Sequence, residues 1–467
     1  MIVFLTLLII LPSVSPGGLS QSEMNSVVEA SRVSLKHYDI RAVVDLPYHA
    51  IQKLSILAFG INLYSIKLPS ILFATVSAFF IILLLNRWFK SDVAIVGSIL
   101  TTLSTAFLFL AGSGTPIIMY IFWLSIILWC GSKIVGNNNV HPLLILLFAF
   151  CIGFSLYTPH LCYVSLAIAF AGITHPHLRF ALKQLKPYQL IACIMALMIS
   201  VAPLAVGLYF DHGNIAELAW SKNFSLHGYL HNIVDAFAPF FSFSLAYDSI
   251  YLAPLFGLAN LALIIIGALA SIGKLFTSRN TIVSLLAIYA IAISGLNVEA
   301  AIAIIVPVAI LSAAGLESII EKWHSLFPEN PYAHIIGTTP IVIVVTMIIA
   351  SGLNHFIFGY HYTPRVVKNF NDDISIITQN VKKGETLYLP AETENYKFYS
   401  LLGRFNKINV INSHSDINQE SFAVLGGKTE MKGYELSRII TSPKSRNSDR
   451  LYLYHKITEE PKEEQGE

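Results

Sequence analysis

The sequence has little charge for its length. Of its 467 residues, 12% are Asp, Glu, Lys or Arg, whereas 55% are hydrophobic and the mean hydropathy is +0.64. This composition indicates an integral membrane protein. The formal net charge is only +2, and no basic stripe or zinc-finger spacing is present, so nucleic acid is excluded as a partner.

Cysteine pairs and charges within the apolar runs are also scarce. The four cysteines lie inside apolar runs without a CxxC pair, which excludes a disulfide framework and a cysteine metal site. An ion or proton pathway across a bilayer needs ionisable residues within the spans, and these are nearly absent. A transporter is therefore disfavoured, as is a secondary transporter built from inverted repeats, which are not visible.

What the sequence does contain is a series of apolar runs. A helix that crosses the hydrocarbon needs about 20 mostly apolar residues, because lipid offers no hydrogen-bond partners to the backbone. We predict eleven transmembrane helices: a short first span within Met1–Val14, followed by runs at 62–86, 92–111, 116–132, 142–157, 159–174, 189–210, 251–273, 281–296, 298–316 and 335–357.

Basic residues occupy alternate connections between these runs, as the positive-inside rule requires. The connections that we place in the cytoplasm carry Arg87 and Lys90, Lys133, Arg179 with Lys183 and Lys186, Lys274 and Arg279, and Lys322. This pattern predicts a plasma-membrane protein with a cytoplasmic amino terminus and an external carboxyl end.

The predicted organisation is a polytopic α-helical transmembrane domain at 1–359, with long external loops at 15–61 and 211–250. From about Tyr360 the composition becomes that of a soluble domain, and strand and helix patterns alternate. We predict a small extracytoplasmic α/β domain at 360–457. The all-polar residues 458–467 are predicted to be disordered.

A first candidate site lies at the start of the first external loop. Glu23 is a carboxylate close to the membrane surface, where partial desolvation would suit a general base. Ser20 and Glu23 also form an S-x-x-E pattern, which is typical of a helix capping box. Both interpretations of Glu23 stay open from the spacing.

A second candidate is the Asp45-Leu46-Pro47-Tyr48-His49 segment. Asp45 fits a helix N-cap and Pro47 the first turn. His49 falls one turn after Asp45 on the same face, where the two could hold a phosphate, a proton or a divalent metal ion. No complete ligand set for a metal is readable, so metal binding is only a possibility.

Binding a lipid phosphate requires positive charge, and the external candidates include Lys53 and Lys67. Each is also compatible with a side chain that extends to the membrane surface without binding a ligand. In the second external loop, His212, His227 and His231 together suggest a polar cavity wall, although each alone is compatible with an ordinary interfacial or core residue.

The first 135 residues resemble the family 39 glycosyltransferases of the GT-C fold, which include protein O-mannosyltransferases and aminoarabinose transferases. The similarity rests on SQSEMNSVVEA after a first span, on the long segment that begins DLPYHAIQKL, and on LFLAGSGTPIIMYIFW. It implies that Glu23 is the catalytic base, that Asp45 and His49 line the pocket, and that Lys67 is a structural or phosphate-side cation.

The resulting hypothesis is a membrane glycosyltransferase. It would move a sugar from a polyprenyl-phosphate donor to an extracytoplasmic glycan, lipid or protein acceptor. The alternative is a catalytically inactive scaffold or lipid-binding protein with the same fold, and a transporter ranks third.

Overall fold

The computed structural model describes most of the chain. The described residues are 6, 9–10, 17–33, 43–135, 140–220, 225–241, 258–273, 277–326, 331–389, 395–412, 421–425, 433–441 and 450–457. The predicted first span is therefore described at only three residues, and the predicted tail at 458–467 lies outside the described residues.

Helices make up the larger part of the fold. In chain order they are α1 (Gln21–Arg32), α2 (Leu46–Phe59), α3 (Leu63–Trp88), α4 (Ser91–Thr102), α5 (Thr105–Gly112), α6 (Met119–Val135), α7 (Pro142–Ser155), α8 (Cys162–Thr174), α9 (Pro176–Lys183), α10 (Pro187–Phe210), α11 (Gly213–Ala219), α12 (Leu226–Phe241), α13 (Leu258–Ile272), α14 (Ser278–Ser294), α15 (Ile305–Leu326) and α16 (Pro331–Asn354). Short 3₁₀ turns precede α6 and α15.

Several of these helices are long and apolar enough to cross a bilayer. Within the described residues there are five such helical segments, or six if α4 and α5, which meet at a 57° bend, form one broken span. Shorter apolar helices, such as α7, α8, α13 and α14, lie beside them. The prediction of a polytopic helical membrane protein is confirmed, whereas the count of eleven spans stays a prediction.

The main hydrophobic core lies between α3, α5, α6, α14 and α15. Pairs such as Phe73 and Phe122, with ring centroids 4.7 Å apart, pack edge to face between α3 and α6. This core holds together the helices whose ends surround the site described below.

The last hundred residues contain a five-stranded mixed sheet. Its elements are α17 (Asp373–Asn380), β1 (Thr386–Tyr388), α18 (Tyr396–Asn406), β2 (Asn409–Ile411), β3 (Ser421–Leu425), β4 (Tyr434–Thr441) and β5 (Arg450–Lys456). The strand order is β2-β1-β3-β5-β4, with β1 parallel to β2 and β3, and β5 antiparallel to β3 and β4. Helices and strands alternate in this segment, and the extracytoplasmic α/β domain with its boundary at 360 stays a prediction.

Helix α1 lies against this sheet unit. Leu19 forms an isolated antiparallel bridge with Asn371, and the side-chain amides of Gln21 and Asn395 donate to each other. One hydrophobic cluster combines residues of α1 to α3 with residues of α17, α18 and the sheet. The start of the described chain and its last hundred residues therefore share one core.

Candidate active site

A polar cavity of about 570 Å³ opens beside α1. Its walls come from one face of α1, the first turn of α2, the turn before α6, the start of α11 and the 3₁₀ turn before α15. These segments are far apart in sequence, and the fold brings them together at one end of the helical bundle. The predicted loop at 211–250 contributes only through Asp211, Asn214 and Glu217 among the described residues.

Helix α1 presents two different faces because of its helical period. The residues Ser22, Asn25, Ser26, Glu29 and Arg32 line the cavity, and their spacing of three or four places them on one side of the helix. Met24 and Val27, on the other side, are buried in the core shared with the sheet unit. The sheet unit thus supports the wall of the cavity from behind.

The cavity is rich in carboxylates. Five acidic residues line it: Glu29, Asp45, Asp211, Glu217 and Glu299. Among the described lining residues, Arg32 is the only Arg or Lys, and its guanidinium is 2.9 Å from the Glu29 carboxylate.

Asp45 is the most unusual of the five. It precedes α2 with a left-handed backbone (φ 49°), a conformation that strains a residue other than glycine. The side chain is 92% buried, and its Oδ1 atom has no hydrogen-bond partner within the described part of the chain. Burial raises the pKa of the Asp45 carboxyl well above its usual value, and the charges of Glu299 and Glu217 add to the rise, while a contact with Thr158 offsets part of it.

The predicted capping role of Asp45 is wrong in its detail. Asp45 does begin α2, and Pro47 does lie in the first turn, but the Asp45 side chain makes no capping hydrogen bond. Its backbone amide instead donates to the Tyr157 carbonyl at 2.8 Å. The Asp45 carboxyl group therefore makes no cap and lines the cavity instead.

His49 lies one turn along α2 and lines the same cavity, as predicted from the spacing. It is buried, and burial lowers its pKa to about 4, so the imidazole is neutral at pH 7. Its Nδ1 atom is 3.5 Å from Gln52 Oε1. A neutral imidazole offers a hydrogen bond to a ligand but no positive charge for a phosphate.

Gln52 connects the walls of the cavity and was not singled out from the sequence. Its Oε1 accepts from Ser26 Oγ of α1 at 2.8 Å. Its Nε2 donates to the Gly114 carbonyl at 3.1 Å, and also reaches the Ile66 carbonyl of α3 at 3.4 Å. This fully buried amide fixes α1, α3 and the turn before α6 around α2.

Glu23 is buried but does not line the cavity. The predicted capping box is present: Ser20 N donates to Glu23 Oε2 at 2.7 Å, and Glu23 N donates to Ser20 Oγ at 3.3 Å. The other carboxylate oxygen accepts from Gly114 N at 2.7 Å and lies 3.9 Å from Lys67 Nζ. Both oxygens of Glu23 are therefore occupied by the protein.

The predicted cations also lie outside this cavity. Lys67 is 1% exposed and forms the buried pair with Glu23. The Lys53 ammonium donates to the carbonyls of Ser31 and Val33 at the carboxyl end of α1, a favourable place for a positive charge at a helix terminus. Burial lowers the pKa of Lys53.

His227 and His231 lie on α12 and do not line the cavity. Both are exposed, and their rings are parallel with centroids 6.5 Å apart. His231 Nε2 is 3.3 Å from Asp235 Oδ2, one turn further along the helix. Their substrate-binding role, like the roles of Glu23, Lys53 and Lys67, stays a prediction.

The described part of the chain shows no metal site. No group of three or more His, Cys, Asp or Glu side chains among the described residues is arranged to hold an ion. We therefore derive no step through a divalent metal.

The sequence interpretation missed Glu29, Glu217 and Glu299. A signal existed for Glu29, which lies seven residues after Ser22 on the same helix face. A signal also existed for Glu299, a lone carboxylate in the apolar segment NVEAAIAIIV. Glu217 gave none, because only the fold brings α11 to the cavity.

Comparisons with known proteins agree with this architecture. A family described as dolichyl-phosphate-mannose-protein mannosyltransferase matches residues 47–204, about a third of the chain. No curated protein sequence matches the chain.

Among solved structures, the chain is similar to ArnT from Cupriavidus metallidurans bound to undecaprenyl phosphate, with a TM-score of 0.55, 10% identity and 97% of each chain covered. The apo state of the same protein gives a TM-score of 0.53 with 9% identity and again 97% of each chain covered. An oligosaccharyltransferase from Archaeoglobus fulgidus tethered to an acceptor peptide gives 0.47 with 12% identity, covering 89% of this chain and 64% of that chain. The family match and the ArnT fold confirm the predicted resemblance to GT-C glycosyltransferases of family 39.

Proposed function

We infer that the protein is a membrane glycosyltransferase, the class predicted from its sequence. It moves a sugar from a polyprenyl-phosphate donor to an acceptor outside the cytoplasm. The observation that carries the proposal is the acidic cavity beside α1, in a chain with the ArnT fold. ArnT was solved with undecaprenyl phosphate bound. This supports a polyprenyl-phosphate sugar as the donor for the present chain.

The reaction needs a base for the acceptor and a good leaving group on the sugar. The acceptor hydroxyl oxygen attacks the anomeric carbon, the bond from that carbon to the phosphate oxygen breaks, and polyprenyl phosphate leaves with the electron pair. A carboxylate takes the hydroxyl proton. One direct displacement of this kind inverts the anomeric carbon.

We assign the base to Asp45. It lines the cavity, its Oδ1 atom has no partner among the described residues, and its backbone is strained, as is common at functional sites. Because burial raises its pKa, the carboxylate is a stronger base than an ordinary aspartate and holds a proton once it has taken one. His49 is neutral one turn away and can hold the acceptor or the sugar by a hydrogen bond.

The role predicted for Glu23 as base competes with this assignment. Its two oxygens already accept from Ser20 N and Gly114 N, and Glu23 does not line the cavity, so the cavity does not present an acceptor hydroxyl to this carboxylate. The contacts support a positioning role, in which Glu23 holds the wall of the cavity.

The exposed apolar surface of α2 is where we place the polyprenyl chain of the donor. Leu54, Leu57 and Phe59 are more than half exposed, and apolar side chains of this kind on a helix are typical of the membrane interface. Among the described residues that line the cavity, Arg32 supplies the positive charge that would contact the donor phosphate. In this arrangement the cavity, the loops and the α/β domain at 360–457 lie outside the cytoplasm, and the chain starts on the cytoplasmic side of the plasma membrane.

The test is transfer of labelled sugar from a polyprenyl-phosphate donor by the purified protein. We expect Asp45→Asn to lower kcat by at least about 100-fold, the usual contribution of a general base, with thermal stability retained. The matched control is Glu321→Gln, an exposed carboxylate outside the cavity that pairs with Lys90, which should leave the rate unchanged.

Other outcomes separate the alternatives. Full activity of Asp45→Asn, with loss of turnover in Glu23→Gln at unchanged stability, would return the base to Glu23. An inactive wild-type protein that still binds the donor would support the scaffold alternative.

A further inference from the structure

A second cavity lies at the opposite end of α6 from the acidic one. The acidic cavity includes Ile117 just before α6 begins, whereas the second is lined near the end of α6 by Gly131, Ser132, Ile134 and Val135. The second cavity also includes Ile127, ten residues after Ile117, so the nearest lining residues of the two cavities are separated by about 15 Å along the helix, at 1.5 Å per residue. The second cavity has a volume of about 340 Å³.

The charge at this cavity has the opposite sign. Arg87, His177 and Arg279 line it, and none of the described residues that line it is a carboxylate. Glu317 and Glu321 of α15 act on Arg279 electrostatically but do not line the cavity.

Arg279 is held in place by the end of α3. Its Nη1 atom donates to the Trp88 carbonyl at 3.1 Å, and its guanidinium lies 4.7 Å from the centre of the Phe89 ring. A cation above an aromatic ring is stabilised by the ring's electrons. The guanidinium is therefore positioned before any ligand binds.

The remaining walls are apolar and belong to several helices. They include Leu128 of α6, Phe148 of α7, Ile168 of α8 and Ile282 of α14. Walls of this kind accommodate a hydrocarbon chain and give a free inorganic anion no contact.

Helix α9 closes one side of the cavity and has the character of an interfacial helix. Leu178 and Ala181 are buried and line the cavity, while Phe180 and Leu182 are more than half exposed. Arg179 and Lys183 are exposed on the same short helix. Basic residues combined with exposed apolar ones indicate a helix in contact with lipid headgroups.

We infer that this cavity binds an anionic phospholipid. The phosphate contacts Arg87 and Arg279, and an acyl chain lies along α6 and α8. Basic pockets between transmembrane helices are known to take anionic headgroups, and Trp88 beside the arginines is the residue type favoured at the membrane surface. A zwitterionic phosphatidylcholine would bring its ammonium group to the same arginines and bind less tightly.

The test is native mass spectrometry of the full-length protein in neutral detergent, titrated separately with phosphatidylglycerol and phosphatidylcholine. We expect phosphatidylglycerol to bind more tightly. Replacing Arg87 or Arg279 with Gln should each weaken it about fivefold, the effect of one basic residue near a membrane phosphate. Lys90→Gln is the matched control, because Lys90 lies three residues after Arg87 and is exposed but does not line the cavity.

A third variant tests the apolar part without altering charge. Ile168→Trp fills the cavity from α8 and should also weaken phosphatidylglycerol binding, with melting temperature as the folding control. If Arg279→Gln does not fold, the phosphatidylglycerol affinities of Arg87→Gln and Ile168→Trp test the inference.

Four results would overturn the inference. They are equal binding of the two phospholipids, an effect of Lys90→Gln as large as that of Arg87→Gln, full competition by inorganic phosphate, and tighter binding of undecaprenyl phosphate than of phosphatidylglycerol at these residues. The last would assign the cavity to the carrier lipid.

Discussion

The Glu23 carboxylate accepts a hydrogen bond from the Gly114 backbone amide at 2.7 Å, although 91 residues separate them. This bond joins α1 to the turn before α6. The carbonyl of the same residue, Gly114, accepts from Gln52. The Glu23 and Gln52 side chains thus attach α1 and α2, two walls of the acidic cavity, to the backbone of the same turn.

Glu23→Gln should mainly reduce stability. The amide group would place a donor against Gly114 N or Ser20 N and would remove the carboxylate charge that lies 3.9 Å from the buried Lys67 ammonium. Breaking a buried ion pair from one side costs about 3–5 kcal/mol, so thermal denaturation in detergent should show a large drop in melting temperature. Glu29→Gln, on the same helix but 44% exposed and paired only at the surface, should shift stability by no more than about 0.5 kcal/mol.

Gly114→Ala should also destabilise the protein. A Cβ atom there would lie 2.7 Å from Ile66 Cγ2 and 3.0 Å from the Ile66 carbonyl oxygen. Relieving such overpacking costs about 1–3 kcal/mol. The matched control is Gly131→Ala in α6, where the nearest atom would be 3.7 Å away in Phe148, and where alanine in a helix should be neutral or stabilising. Equal stability of the two variants would contradict the close approach of α3 to the turn.

Acid should destabilise the fold through His49. Its pKa is about 4 in the folded protein and 6.5 when unfolded, so between these values the unfolded chain binds a proton that the folded chain does not. The free energy of unfolding should therefore fall as pH drops from 6.5 to about 4, by about 3 kcal/mol in all. Denaturation at several pH values, comparing wild type with His49→Gln, measures this, and exposed His227→Gln should retain the wild-type slope.

The raised pKa of Asp45 acts on stability with the opposite sign. The unfolded chain loses its Asp45 proton first as pH rises, so this group lowers stability above its ordinary pKa. The His49 slope is best measured in an Asp45→Asn background, where only the histidine contributes. Loss of the slope in that background would show that His49 is not its source.

The pH dependence of transfer should identify the base. Because the Asp45 pKa is raised, kcat/KM should increase with pH along a limb that lies above the range of an ordinary aspartate. Asp45→Asn should lose this limb with the activity, whereas Asp45→Glu should retain a limb at a shifted pH. An unshifted limb in Asp45→Glu would assign the titration to another group.

The amide pair between Gln21 and Asn395 should couple the sheet unit to the cavity wall. The two amides donate to each other across α1 and the start of α18. In a double-mutant cycle of Gln21→Ala and Asn395→Ala, we expect a coupling energy of about 0.5–1.5 kcal/mol in stability. Additive effects would show that the two units are held by their apolar core alone.

Local features of the sequence predicted local structure well. The Ser20 and Glu23 capping box follows from a spacing of three residues, and α3 and α10 lie close to the predicted runs at 62–86 and 189–210. Periodicity and capping act over a few residues, so one sequence contains what is needed to find them.

Contacts between distant segments could not be read in the same way. Nothing near Glu23 indicates that its second oxygen meets Gly114, and nothing near Asp45 indicates the left-handed backbone that turns its carboxyl into the cavity. Gln52 is likewise an ordinary residue of an amphipathic helix until the fold surrounds it with three partners. The acidic cavity is made by tertiary packing, which is why its lining was only partly predicted from the sequence.

The bridge between Leu19 and Asn371 also affects how the protein is made. The ribosome completes Leu19 long before Asn371, and at about 5–20 residues per second the interval is on the order of tens of seconds. Until the later segment arrives, the apolar cluster that contains Met24 and Val27 lacks the part supplied by α17, α18 and the sheet. The cavity wall can therefore assemble only after nearly the whole bundle has been inserted, so a chain stalled before Asn371 would lack a completed site.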